Sequence, residues 1–237
     1  MEQSISERIS RLDWPAITHE LHDRGFVIVK DVLKQDECER LIKEYDADEY
    51  RKTINMERYR FGSGEYKYFK YPLPDIIENL RESVYAEIAP VANSWMEELG
   101  IDTRFPPTHA EMKAISHEAR QTKPTVLILK YTTGGFNTLH QDLYGEVYFP
   151  MQIVFMLDQT GKDYDGGEFV ITEQIPRAQS KANVLNPNRG DMVILITNFR
   201  PVKGSRGYYR VNMKHGVSPL HSGNRHSLGI IFHDALT

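Results

Sequence analysis

The feature that most constrains the fold of this chain is a change in sequence character near residue 124. Before it, segments 15–24, 35–45 and 74–99 carry apolar residues at helical spacing, and we expect the third helix to be kinked or interrupted near Pro90. After it, short apolar runs alternate with Gly, Pro, Asn and Asp. Short strands divided by such turn residues favour a β sandwich or barrel, and helices followed by strands favour α+β over alternating α/β.

The strand predictions rest on runs rich in β-branched and aromatic residues. One such run, Phe26–Val29, lies between the first two predicted helices. We therefore expect one α+β domain over residues 1–237, with a helical N-terminal part to about residue 123 and a β-rich part over about 124–237. The strands of that second part are predicted at 124–131, 146–157, 167–172, 191–197, 208–213 and 227–232.

Composition and charge exclude several classes of protein. The chain has 237 residues, 40% of them hydrophobic, which suffices for one substantial core. Its net charge of −4 and pI of about 6.1 do not indicate a nucleic-acid-binding protein, for which a basic surface or a high pI is typical. Cys38 is the only cysteine, so intrachain disulfides and multi-cysteine zinc sites are excluded.

The first residues and the apolar runs predict where the protein resides. The segment MEQSISERISRLDW is polar and lacks the apolar stretch of a secretory signal. The longest apolar runs, such as 126–129, are far shorter than the roughly 20 residues of a membrane helix. Together with the single cysteine, these features favour a cytoplasmic protein without a membrane partner, and they leave the oligomeric state open.

His140 and Asp142 are the leading candidates for chemistry. On an extended segment, residues spaced by two face the same side, so both ligand atoms can meet one ion. His215 can reach the same ion from a distant strand. Two imidazoles and one carboxylate occupy one face of a ferrous ion and leave three positions open. A lone His-x-Asp is more often a surface hydrogen bond, and zinc accepts the same three ligands.

Arg225 favours iron over these alternatives. It follows His215 by ten residues, beyond a turn at 222–224, so its strand can return beside the metal. A guanidinium forms a bidentate pair with a carboxylate, which suits a co-substrate with a far carboxylate. Ser227 faces the same way and can add a hydroxyl donor, and Tyr131 is a candidate for a third contact. A zinc site would not explain the matched arginine and serine.

Taken in order, these residues resemble the 2-oxoglutarate/Fe(II) dioxygenase superfamily, most broadly its prolyl-4-hydroxylase-like group. In that group a strand tyrosine precedes His-x-Asp, a Gly-Gly turn follows an apolar strand, and His-x9-Arg-x-Ser closes the site. This chain has Gly166 and Gly167 at the turn position. The resemblance implies a double-stranded β-helix (jelly-roll) core with the N-terminal helices packed on it. It also implies Fe(II) as cofactor, with 2-oxoglutarate and O2 as co-substrates.

The resemblance extends to individual residues. It implies that Arg225 pairs with the 5-carboxylate of 2-oxoglutarate, with Ser227 and Tyr131 as further contacts. Met156 stands where some prolyl hydroxylases have a tyrosine that contacts the co-substrate. Related halogenases replace the metal carboxylate by a small residue, so the presence of Asp142 favours hydroxylation. The implied reaction hydroxylates a C–H bond while 2-oxoglutarate becomes succinate and CO2.

The whole chain also resembles a smaller family of bacterial proteins of about this length. That family carries a label of oxidative repair of alkylated DNA. The resemblance therefore implies a nucleic-acid substrate as one alternative. The matching segments are 60–69, 138–146, 166–170, 176–180 and 225–235.

The substrate is the least constrained part of the prediction. Two segments, 58–69 and 198–210, mix cations, aromatics and glycines, a composition that can bind anions, stack bases or grip a peptide. Solvated loops with aromatics packed on the core would have the same composition. The candidate substrate contacts in these segments are Arg60, Tyr66, Arg206 and Arg210.

Three functional hypotheses follow from these observations. The first is a 2-oxoglutarate-dependent dioxygenase that hydroxylates an unactivated C–H bond of a small metabolite, an amino acid or a protein side chain. The second is an oxidative demethylase of alkylated nucleic acid, which the acidic total charge does not favour. The third is a noncatalytic protein that binds iron or 2-oxoglutarate, which the complete set of ligands disfavours.

Overall fold

The structure is a computed structural model that describes residues 3–47 and 50–237. Its helices are α1 (Ile5–Ser10), α2 (Trp14–Arg24), α3 (Gln35–Lys43), α4 (Met56–Tyr59), α5 (Asp75–Glu98) and α6 (His109–Glu118), with a 3₁₀ turn at Glu44–Asp46. Its strands are β1 (Phe26–Val29), β2 (Tyr50–Asn55), β3 (Gly62–Ser63), β4 (Glu65–Phe69), β5 (Leu127–Thr132), β6 (Phe136–His140), β7 (Met151–Met156), β8 (Tyr164–Gly166), β9 (Phe169–Gln174), β10 (Lys181–Leu185), β11 (Met192–Ile196), β12 (Phe199–Gly204), β13 (Gly207–Val217) and β14 (Leu220–Ile231).

The helix ends follow the capping signals in the sequence. At the start of α2 the Asp13 side chain accepts the Ala16 N–H, and Pro15 lies in the first turn. Gly25 ends the helix at φ 77°, a backbone conformation that glycine adopts without steric cost. The helices predicted over 15–24, 35–45 and 74–99 are therefore confirmed within a residue or two. Helix α5 continues through Pro90 without interruption.

Two antiparallel sheets form the β-rich part. The larger sheet has the strand order β1-β11-β7-β14-β5-β4-β2, and the smaller has the order β10-β9-β13-β6-β3. Strands β5, β7, β11 and β14 belong to the larger sheet, and β6, β9, β10 and β13 to the smaller. The chain thus crosses repeatedly between the two sheets, which is the topology of a jelly roll. The predicted α+β class with a jelly-roll core is confirmed.

The N-terminal part is not only helical, contrary to the prediction for residues up to about 123. Strand β1 was predicted, but β2 and β4 extend the other edge of the larger sheet, and β3 extends the smaller. Strand β2 exposes most of its polar residues, so it lacks the apolar alternation that marks a strand. Its pairing with β4, and that of β4 with β5, outweighs the weak local signal.

Other differences have similar causes. The predicted strand 146–157 begins only at Met151, because the preceding residues are bends and irregular backbone. Strands β6 and β10 were missed, since β6 borders a cavity with polar residues and β10 is an exposed edge strand. Residues from the helices and from both sheets belong to one hydrophobic cluster, with Trp95 and Tyr85 of α5 fully buried within it. Among the described residues, no helix has the length and apolar character needed to cross a membrane.

A buried ion pair ties α5 to the chain just after β14. Arg81 donates to Asp234 Oδ1 at 2.9 Å and to the Ile231 carbonyl at 3.0 Å, with both charged side chains fully buried. The Tyr71 hydroxyl and His117 Nε2 also contact this carboxylate. Burial alone would raise the pKa of Asp234, but Arg81 and these hydrogen bonds hold that pKa below its ordinary value. The carboxylate is therefore charged at neutral pH.

We expect Arg81→Met to lower the free energy of unfolding by about 3–5 kcal/mol, because it leaves a buried carboxylate without its cation. The loss should shrink as the pH falls below the unfolded-state pKa of aspartate, about 3.9, because a depressed pKa stabilises the fold only while the group is charged. Urea denaturation at several pH values measures both effects. The control is Arg40→Met, which removes an exposed pair on α3. A loss below about 1 kcal/mol, the range typical of surface pairs, would contradict the structural role of Arg81.

Candidate metal centre

Strand pairing brings the three predicted metal ligands together. His215 of β13 lies opposite His140 of β6, and their ring centroids are 4.3 Å apart. Asp142, two residues after the end of β6, contacts both rings: its Oδ1 lies 3.5 Å from His140 Nε2 and its Oδ2 3.3 Å from His215 Nε2. One ligand atom from each residue lies within 4.8 Å of the others. The spacing suits three ligands around a single ion.

The chemical state of each ligand also suits a metal. His140 Nδ1 lies 2.8 Å from the Thr138 carbonyl, which can only accept, so Nδ1 carries a proton and Nε2 is the nitrogen that faces Asp142 and the site. Burial alone would lower the pKa of His140, but Asp142 raises that pKa above its ordinary value, so a metal would bind Nε2 in place of a proton. Burial, together with the neighbouring His140, lowers the pKa of His215 and keeps that ring neutral. Burial would raise the pKa of Asp142, but the two histidines hold it well below its ordinary value. Two neutral imidazoles and a carboxylate form the donor set expected for Fe(II).

The glycine pair before β9 allows the chain to pass close to the site. Gly167 has φ 61°, and a Cβ there would lie 2.5 Å from Leu220 and 3.2 Å from the Arg225 side chain. A larger residue would therefore strain the backbone and displace β14. Two residues later, Phe169 stacks on the His215 ring at 5.7 Å with an interplanar angle of 22°. The Gly-Gly turn and Phe169 thus position the candidate ligand His215 and are not metal ligands themselves.

A chain of tyrosine hydroxyls holds the metal-facing carboxylate. Tyr144 donates to Asp142 Oδ1 at 2.9 Å and receives a hydrogen bond from Tyr68 at 3.2 Å. Tyr66 packs edge-on against Tyr68, with ring centroids 5.4 Å apart. Burial and the adjacent Asp142 raise the pKa of Tyr144 well above its ordinary value, so this phenol remains a donor at neutral pH. The carboxylate is therefore oriented by the protein before any metal binds.

Arg225 is a buried cation without a counterion. It is 1% exposed, and no carboxylate among the described residues lies within ion-pair distance of it. Its guanidinium contacts Ser227 Oγ at 3.4 Å and Met156 Sδ at 3.2 Å, while its Nε has no partner. The ring of Tyr131 lies 5.6 Å from it. A buried charge is costly unless paired, so this arginine is suited to receive an anionic ligand.

A cavity of about 210 Å³ opens onto the metal ligands. Its floor comes from the larger sheet and includes Ser227 and Tyr131. Arg225 does not line the cavity itself but contacts both of these residues. Its remaining walls carry aromatic rings and neutral amides, and Asp142 supplies the only carboxylate among the lining residues. The aromatic side chains on these walls are Phe61, Tyr66, Tyr68, Tyr144 and Phe169.

The four predicted substrate contacts fall in different places. Tyr66 lines the cavity. Arg60 is exposed at the end of α4, and Arg206 is exposed on the turn between β12 and β13. Arg210 is exposed, with its guanidinium 4.7 Å from the Phe199 ring. None of the three arginines lies on the cavity wall, and their part in substrate binding stays a prediction.

Sequence reasoning missed two residues beside the metal ligands. Tyr144 follows Asp142 by two residues, a spacing that could have marked it as a partner of the carboxylate. Gln152 is the one polar residue in β7, and a lone amide in an otherwise apolar buried strand is itself a signal. His226, by contrast, faces away from the site as predicted and hydrogen-bonds Asp158 at 2.8 Å.

We expect Tyr144→Phe to weaken Fe(II) or Co(II) binding about 10- to 100-fold, because an oriented metal carboxylate loses its hydrogen bond. Anaerobic metal titration, followed by the visible spectrum of the Co(II) form, measures the affinity. Tyr59→Phe is the control, since this exposed tyrosine does not line the cavity. Equal metal affinity in wild type and Tyr144→Phe would remove the positioning role from this residue.

Comparison with known proteins identifies the family of the chain. Residues 64–235 match the family Oxygenase-NA, described as an oxygenase catalysing oxidative methylation of damaged DNA. An uncharacterized protein of Mycobacterium tuberculosis is 42% identical over 167 residues, which is 70% of this chain and 72% of the relative. The same figures hold for its counterpart in a second strain of that organism.

Solved structures share the fold at low sequence identity. A prolyl-4-hydroxylase of Pseudomonas putida superposes with a TM-score of 0.56 at 14% identity, covering 93% of this chain and 98% of the other. A prolyl hydroxylase of Trichoplax adhaerens, in complex with a peptide fragment of hypoxia-inducible factor, gives 0.58 at 13% identity and covers 99% and 94%. Because the family match spans most of the chain, this protein belongs to the Oxygenase-NA family of oxygenases, and its fold is that of the prolyl-4-hydroxylases.

Proposed function

We propose that this protein hydroxylates an unactivated C–H bond of a small metabolite, an amino acid or a protein side chain, using Fe(II), 2-oxoglutarate and O2. The observation that carries the proposal is the buried, unpaired Arg225 on the floor side of the cavity that contains the His140, Asp142 and His215 cluster. A ligand cluster alone would also suit zinc. A buried cation without a counterion, in contact with the cavity residues Ser227 and Tyr131, calls for an anionic co-substrate.

Each end of the co-substrate has a proposed partner. Arg225 and Ser227 provide N–H and O–H donors for the 5-carboxylate, and the Tyr131 hydroxyl is buried beside them without a well-formed hydrogen bond. The His140, Asp142 and His215 side chains would hold Fe(II), and three protein ligands would leave the ion open to the 2-oxo acid end and O2. With these groups bound, oxidative decarboxylation of 2-oxoglutarate to succinate and CO2 supplies the oxidant for C–H hydroxylation. The protein binds and orients the reactants and excludes water from them.

The cavity walls limit what can approach the metal. Apart from the metal ligands, the lining residues are uncharged, so a free carboxylate of a substrate would find no cation there other than the one assigned to the co-substrate. The rings of Tyr66, Tyr68 and Tyr144 favour a flat or apolar group. We therefore expect the reacting group to be neutral, with any charge of the substrate remaining outside the cavity.

A second candidate function is oxidative demethylation of alkylated nucleic acid. The family description refers to damaged DNA. At the cavity mouth, Phe61 stacks on Tyr59 at 5.6 Å and 16°, and both rings are nearly half exposed. Arg58 and Arg60 are exposed in the same segment. Exposed rings flanked by cations are typical of surfaces on which single-stranded bases stack, and removing a methyl group begins with the same C–H hydroxylation.

The cytoplasm is the proposed location. Cys38 is buried and free, and disulfides are rare in the reducing cytosol. The single cysteine thus supports an intracellular setting without identifying the substrate.

The first experiment is anaerobic titration of Fe(II)-loaded protein with 2-oxoglutarate, monitored by the visible charge-transfer band of the chelate. We expect the band in wild type and its loss in His140→Ala and His215→Ala, because each removes a metal ligand. His226→Ala is the matched control, since that imidazole faces away from the cluster. Tight metal binding without the band would point to zinc and refute the proposal.

A separate prediction concerns the co-substrate arginine. Arg225→Met should weaken 2-oxoglutarate binding by about 2–5 kcal/mol while leaving iron affinity unchanged, because a buried carboxylate loses its charged partner. Arg206→Met, which removes an exposed cation outside the cavity, should bind 2-oxoglutarate like wild type. If Arg225→Met kept the wild-type dissociation constant, the 5-carboxylate would have to bind elsewhere.

Substrate classes can then be compared by succinate release. Amino acids and peptides are tested beside methylated oligonucleotides, with unmethylated oligonucleotides as the control. Release above the uncoupled rate only with the methylated strands, together with a steep loss of binding as salt rises, would favour the second candidate over the first. Release only with amino acids or peptides would favour the first.

A further inference from the structure

Gln152 carries a buried side-chain amide, and the described residues around it offer that amide few hydrogen-bond partners. It lies in β7, where the other five residues are apolar, and it is 2% exposed. Its side chain lines the cavity. Buried amides normally have hydrogen-bond partners in the protein, because an unpaired one loses its contacts with water without replacement.

Among the described residues, the one side-chain hydrogen bond of Gln152 is with His215 Nε2, the nitrogen that a metal would bind. The Gln152 Nε2 lies 3.4 Å from that nitrogen. Gln141 differs, since its amide is anchored by the Asn198 and Met213 carbonyls at 2.9 Å each. Gln141 is thus held by the scaffold, whereas Gln152 is held only by a metal ligand.

Metal binding would release the Gln152 amide. A metal ion bonds to the lone pair of an imidazole nitrogen at about 2 Å, and that nitrogen can then neither accept nor donate a hydrogen bond. This holds whichever of its two side-chain atoms faces the ring. In the metal-loaded protein the amide would therefore be buried, unpaired and within reach of whatever else binds beside the metal.

Strand β7 also contacts the other end of the proposed co-substrate site. Met156, on the same face as Gln152, touches the Arg225 guanidinium at 3.2 Å. Met156 lies four residue steps along the strand from Gln152, or about 13 Å. That length accommodates a five-carbon dicarboxylate with a binding group at each end. Between them lies Val154, which lines the cavity and offers no polar side-chain atom.

We propose that the Gln152 amide binds the metal-chelating end of the 2-oxo acid, donating a hydrogen bond to its 1-carboxylate. The inference rests on the proposed function and adds a second protein contact to the co-substrate, opposite the one at Arg225. An amide suits this position because it can bind a carboxylate without competing for the metal as a carboxylate side chain would.

The test compares Gln152→Met, which keeps the length of the side chain but removes the amide, with wild type. Fe(II) affinity is measured first by anaerobic titration, and the dissociation constant of 2-oxoglutarate is then measured from the charge-transfer band. We expect 2-oxoglutarate to bind about ten-fold more weakly or worse, as for loss of a hydrogen bond to a charged group. Fe(II) affinity should be equal or higher, because the competing contact with His215 is gone.

Two further variants keep the test decisive. Gln152→Asn retains an amide that is one methylene too short, so it should also weaken 2-oxoglutarate and serves if Gln152→Met does not fold. Gln174→Met makes the same chemical change as Gln152→Met at an exposed residue of β9 that does not line the cavity, and should leave the affinity unchanged. Wild-type affinity in a folded Gln152→Met protein would overturn the inference alone. Absence of 2-oxoglutarate binding in wild type would overturn the proposed function with it.

Discussion

The pairing of β6 with β13 is the constraint on which the rest of the site depends. It places His215 opposite His140 and so joins two segments that lie far apart in the sequence. Asp142 lies two residues beyond His140, the last residue of β6, and from there contacts both imidazoles. The register matters, since a shift by one residue would turn a ring to the opposite face of the sheet.

The surrounding contacts keep that arrangement in place from three directions. The Thr138 carbonyl sets the tautomer of His140, Phe169 stacks on His215, and Tyr144 holds the carboxylate of Asp142. Each of these contacts comes from a different part of the jelly roll. Residues that contact the metal ligands affect how tightly those ligands bind the metal. In this chain the fold itself brings these contacting residues into place.

The sequence predicted the candidate site best where the chemistry of one residue limits which residues can lie beside it. The His-x-Asp spacing and the distant histidine predicted a cluster that the structure also brings together. The arginine ten residues beyond that histidine is buried against Ser227, and its role stays a prediction. The helices were predictable because their apolar periodicity and caps are local. Strands β2, β4 and β6 were not, since polar or mixed residues in them are stabilised by neighbouring strands rather than by their own pattern. For the same reason Tyr68 was not recognised as a cavity residue: its position depends on β4 pairing with β5.

Strands β2 and β4 lie outside the eight strands of the jelly roll, yet β4 supplies Tyr66 and Tyr68 to the cavity wall. The candidate metal ligands and Arg225 all come from within the jelly roll. The candidate metal centre and part of the cavity wall are thus encoded by separate stretches of the chain. Such a division would allow the cavity wall to diverge between relatives while the metal centre is retained, so substrate preference could change without rebuilding the chemistry.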